Sequence, residues 1–92
     1  MTSLPPAAVK RYFTDSIEKK AYQIAESLNE FLPIMNDRNR LGFNLYRYLK
    51  GEGDTIETIV ATNKFTIEKI SKEKLVEIIK EKVKEVKLNL KY

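Results

Sequence analysis

The sequence predicts a mostly α fold: a small single-domain helical bundle of three to four helices over 1–92, with room for one short strand or hairpin near the C-terminal half. Three observations carry this expectation. Two long segments, Val9 to Leu32 and Leu75 to Val86, repeat apolar residues at intervals of three and four, the spacing of one helical face. Proline and glycine pairs punctuate the chain between periodic stretches. A length of 92 residues supports one small core.

The first helix follows the Pro5-Pro6 pair, since proline is tolerated in a first helical turn. Its stripe is Val9, Phe13, Ile17, Ala21, Ile24, Leu28 and Phe31/Leu32, and Pro33 is expected to end it. Asp15 and Glu18 match a capping box, which would place a break near Thr14. A second helix is expected from about Asn39 to Lys50, capped by Asn36 or Asp37 and buried through Leu41, Leu45, Tyr48 and Leu49. Gly42 weakens it, and Gly51-Glu52-Gly53 stops it.

Asp54-Thr55-Ile56-Glu57 reads as a capping box ahead of Ile59 and Val60. Residues 65–70 carry two readings, a short alternating strand or a further helix capped by Thr66. Ser71 then caps a long helix buried through Leu75, Ile78, Ile79, Val83 and Val86. This last helix is expected to pack antiparallel to the first or to cross it. Residues 87–92 alternate polar and apolar, as a strand or a fraying helix end would.

Composition excludes several chemistries. The chain has no cysteine and no histidine. It therefore lacks disulfides, thiolate and imidazole metal ligands, and the serine-histidine and cysteine-histidine nucleophile systems. No catalytic residues, no cofactor and no metal are expected. The first residues show neither a basic n-region nor an apolar h-region, and no apolar run approaches a bilayer span, so a cytoplasmic protein without membrane contact is expected. Abundant Lys, Glu and Ile with a single glutamine is a hyperthermophile pattern, and it points to a thermophilic, archaeal or archaeal-viral source. An AT-rich mesophile gives a similar Lys/Ile bias. The net charge of +4 permits nucleic-acid contact without demanding it.

Four constellations have a simple structural reading beside the functional one. Glu73, Glu77, Glu81 and Glu85 line one helix face as metal-binding carboxylates do, yet interleaved lysines make a solvated face the better account. Asp15, Asp37 and Asp54 stand at plausible helix starts, and no carboxylate falls inside an apolar stripe, where burial would tune it for acid-base work. Gly51-Glu52-Gly53-Asp54 lacks phosphate-loop spacing and carries two acids, so it reads as a linker turn. Residues 54–70 have the outline of a helix-turn-helix, with Phe65 plugging the core, Thr66 capping, and Lys64, Thr66, Lys69 and Lys72 as DNA contacts. That set offers no Arg, Asn or Gln to read bases.

Residues 36–50 stand apart. They hold three of the four arginines, two of the five tyrosines and three of the six asparagines. Forked donors and aromatic faces grip phosphates, bases and partner proteins. Arg38, Arg40, Asn44, Tyr46, Arg47 and Lys50 are the expected partner-binding residues. The simpler reading is an amphipathic helix with half-buried tyrosines. The function expected is a small non-enzymatic accessory subunit. It would dock on a larger protein of a nucleic-acid machine, polymerase-type, with weak auxiliary nucleic-acid contact. The alternative is a helix-turn-helix DNA-binding transcriptional regulator. A homodimer is one route by which so small a core is enlarged.

Overall fold

The computed structural model describes residues 6–89, with side-chain surroundings over 16–89. The described residues form a small helical bundle of four helices: α1 Pro6–Ser27, α2 Met35–Leu49, α3 Ile56–Thr62 and α4 Lys72–Asn89. Among the described residues there is no strand. Residues 65–70 are neither of the two expected elements. They form an irregular connection, and α4 continues helically through Lys87, Leu88 and Asn89. The rest of the expected C-terminal alternation, 90–92, lies outside the described residues, as do the side chains of Val9, Phe13 and Asp15.

The first helix runs through Thr14 without the expected break. It stops at Ser27, short of Pro33, for a local reason. The Ser27 hydroxyl donates to the Ile24 carbonyl at 2.6 Å. That oxygen is the one a continuing helix would offer to the Leu28 N–H. Leu28 and Asn29 instead donate three residues back, to Ala25 (3.1 Å) and Glu26 (3.2 Å). The last turn tightens and the helix ends.

The second helix begins four residues earlier than expected. Ile34 holds the N-cap position in extended backbone, φ −91 and ψ 120, with no side-chain cap bond. Neither Asn36 nor Asp37 caps. The C-terminal end does follow from Gly51. Glu52 N–H reaches the Arg47 carbonyl at 2.8 Å and Gly51 N–H the Tyr48 carbonyl at 3.0 Å. This pair of bonds requires a left-handed residue between, and Gly51 has φ 84. Gly42 has a different role. Its missing side chain makes room for the Tyr22 ring of α1, whose Cε1 would stand 2.7 Å from a Cβ there.

Thr55, rather than Asp54, caps α3, accepting the Thr58 N–H at 3.2 Å. Ser71 caps the last helix as expected, accepting the Lys74 N–H at 3.1 Å. The core joins Ala21, Ile24 and Ala25 of α1, and Leu28 and Leu32 just beyond it, to Leu41 and Leu45, to Ile56, Ile59 and Val60, and to Leu75, Ile79 and Val83. The described parts of the two long stripes therefore share one core. Ile78 and Val86, expected inside, are half-buried at its edge. The longest shared flank is between α1 and α2. It leaves the opposite side of α2 facing solvent.

Candidate functional site

An α-helix turns about 100° per residue, so buried Leu41 and Leu45 fix which α2 residues face outward. Asn36, Asn39, Arg40, Phe43, Arg47 and Lys50 are exposed, and Asn44 and Tyr46 flank them half-buried. Phe43 lies near the middle of this face and is 50% exposed. The only acid of α2 is Asp37, and it is buried. The outward face is thus cationic and aromatic with no carboxylate of its own.

The six partner-binding candidates divide on inspection of their contacts. Arg38 does not join the face. Its side chain is 14% exposed; its Nε donates to Glu26 at 3.3 Å and its Nη1 to the Leu32 carbonyl at 2.8 Å. It closes the corner between α1 and α2. Arg40 is partly committed: Nη2 donates to Asp37 Oδ1 at 3.0 Å and Nη1 to the Asn63 carbonyl at 2.9 Å. Its guanidinium also stands 5.7 Å from the centre of the Phe65 ring. Asn44 donates to the Arg40 carbonyl one turn back at 2.8 Å. The Lys50 ammonium stands 4.2 Å from the Tyr46 ring centre and 3.7 Å from Glu52. Arg47 has no ion-pair partner among the described residues and packs beside Gly53. Arg40, Phe43, Arg47 and Lys50 come together, with Asn44 and Tyr46 at the border.

Asp37 is the residue that sequence reasoning misplaced. It is 5% exposed, so one carboxylate does lie within the buried surface. Oδ1 accepts from Arg40, and Oδ2 accepts the Thr66 backbone N–H at 2.9 Å. In the first turn of α2 it also faces the positive end of the helix dipole. A second bond, Glu68 N–H to the Phe31 carbonyl at 2.9 Å, holds the same connection to the end of the α1 segment. The i,i+3 spacing of Asp37 and Arg40 was the one local signal for this cluster. Thr66 is 29 residues away from Asp37.

The helix-turn-helix outline does not survive in this geometry. Phe65 does plug the core, but the helix expected to start at Thr66 is absent, residues 66–71 being irregular. Lys64 and Lys69 both take positive φ, 52 and 73, which breaks any helix through them. Thr66 does not cap, Lys69 lies 3.8 Å from Glu30, and Lys72 opens α4. The four candidate DNA contacts share no helical face.

The four glutamates of α4 are exposed. Glu77 pairs with Lys74 at 3.6 Å rather than with Lys80, which reaches across to Glu57 at 3.0 Å. That hydrogen bond from Lys80, together with a backbone N–H, holds the Glu57 carboxyl below the usual glutamate value. No described helix is long and apolar enough to cross a membrane. Compared with protein-family models, with curated proteins and with solved structures, the chain matches none.

Proposed function

We propose that the chain is a non-enzymatic interaction module, an accessory subunit that docks on a larger nucleic-acid-processing protein through the outward face of α2. One observation carries the reading: Phe43 is half exposed in the middle of an α2 face that offers Arg40 and Arg47, with Lys50 at its end beside Glu52, and no exposed carboxylate from α2 itself. An exposed aromatic beside cations complements an anionic surface with an apolar seat. Arg47 is the main free cation of the face, since Arg40 is tied to Asp37 and Asn63.

The test is a photo-crosslinking amino acid in place of Phe43, expressed in the native host, with adducts identified by mass spectrometry. A subunit of a nucleic-acid machine should appear, and should vanish when Arg47→Glu is added. Adducts identical to those from a crosslinker at Glu73 would refute the docking face. Tight binding to duplex or single-stranded DNA, falling steeply with salt, would instead make the chain a direct nucleic-acid binder.

A further inference from the structure

A second surface lies on the far side of α2 from Phe43. The end of α2, the start of α3 and the last three turns of α4 line an open groove of about 390 Å³. Its floor is Tyr48, Ile56 and Val83, and Leu88 forms one lip, 56% exposed. The remaining lining is three amines, Lys80, Lys84 and Lys87, and no carboxylate. Lys87 stands 4.7 Å from the Tyr48 ring centre, and Lys80 is held by Glu57. Lys84 has no ion-pair partner among the described residues.

We infer that this groove docks an acidic amphipathic helix of a partner protein. Charge complementarity argues for it: an apolar floor between lysines matches an apolar stripe flanked by Asp or Glu. Length argues for it too. The groove follows α4 from Lys80 to Leu88, about 12 Å at 1.5 Å per residue. That is the reach of anchors at i, i+3 or i+4, and i+7 of a bound helix. A single-stranded nucleic acid is a poorer match, because the one ring, Tyr48, is half-buried and covered by Lys87. The groove is separate from the α2 face and does not rest on the function proposed above.

The experiment selects from a displayed library of random 16-residue helical peptides against the full chain, then maps the winners by methyl NMR. Enriched peptides should carry acidic residues around a stripe of Leu, Ile, Phe or Met. They should shift the methyls of Ile56, Val83 and Leu88. Lys84→Glu with Lys87→Glu should weaken them about tenfold or more, and Leu88→Glu comparably, while Phe43→Ala leaves affinity unchanged. Lys84, Lys87 and Leu88 are exposed on α4, so the fold should persist; if the double variant does not melt like the parent, Lys87→Gln and Leu88→Ala are read singly. Basic or neutral winners, shifts around Phe43, affinity indifferent to charge reversal, or no enrichment would each overturn the inference. So would occupation of the same methyls by dodecanoate or a thymidine oligonucleotide when no acidic helix is selected.

Discussion

Replacing Asp37 with alanine should destabilise the bundle by about 2–3 kcal/mol. The carboxylate accepts two hydrogen bonds, from the Thr66 N–H at 2.9 Å and from Arg40 at 3.0 Å. A hydrogen bond to a charged group contributes about 1.5–3 kcal/mol, and the part-buried Thr66 bond is of this kind. The Arg40 side chain is 49% exposed, so its ion pair contributes only about 0–1 kcal/mol. Loss of the favourable dipole position adds about 0.3–1 kcal/mol. Alanine returns roughly 0.5 kcal/mol through its helix propensity. In a domain of this length each kcal/mol moves Tm by about 4–8 °C, so a fall of roughly 10–20 °C is expected. Asp37→Asn keeps one acceptor and should lose about half as much. Urea titration followed by circular dichroism measures both, with an unchanged m value confirming a native-state effect. Amide exchange at Thr66 localises it. A loss at Asp37→Ala no larger than that of an exposed control such as Glu77→Ala, about 0.5 kcal/mol or less, would refute the clasp.

Four other outcomes follow from the same contacts. Ile79→Ala and Ile24→Ala should each cost about 2–5 kcal/mol in a denaturant titration, since both are buried in the shared core; a loss equal to that of an exposed lysine would dissolve the core assignment. Gly42→Ala should destabilise by about 1–2 kcal/mol although alanine is the better helix former, because its Cβ overlaps the Tyr22 ring; a net gain in Tm would show that the ring moves aside freely. Ser71→Ala should cost about 1 kcal/mol through the lost cap on α4, read as reduced helicity and Tm. Glu57 has a folded pKa below its ordinary value of 4.5, so its pairing with Lys80 adds stability above that value and loses it as pH falls through the folded pKa. The Tm difference between wild type and Glu57→Gln should therefore be present at neutral pH, shrink with salt, and disappear in acid; a difference that grows in acid would contradict the sign.

What was legible in the sequence was local chemistry. The described part of the α1 stripe, Leu75, Ile79 and Val83 of the α4 stripe, the Ser71 cap and the Gly51 stop depend on neighbours within a turn, and they stand where the residues indicate. The start of α2 was illegible because Ile34 caps it through backbone geometry alone, with no side-chain bond to advertise it. The connection after α3 was illegible because two lysines adopt the left-handed backbone that glycine usually supplies. The arginine-rich segment shows the limit most clearly. Composition marked Arg38, Arg40 and Arg47 equally, yet Leu32, Glu26 and Asn63 claim the first two in the fold. Which guanidinium turns inward is settled by acceptors distant in sequence, and these carry no periodic signature. The same holds for Asp37, whose partner is a backbone amide of the far connection.

The Asp37–Thr66 bond has a consequence for the order in which the molecule assembles. The α1–α2 flank and the α3–α4 flank each join sequence neighbours, and such contacts close early and at little entropic cost. Asp37 and Thr66 are 29 residues apart, and with the Glu68–Phe31 and Arg40–Asn63 bonds and the Lys69–Glu30 pair they form the polar seam between the two halves. Interactions that close late act on the rate of unfolding more than on the rate of folding. The seam is therefore expected to set how long the native bundle survives rather than how fast it forms. Its weakening should be visible as an accelerated unfolding limb with an unchanged refolding limb in stopped-flow traces of Asp37→Ala.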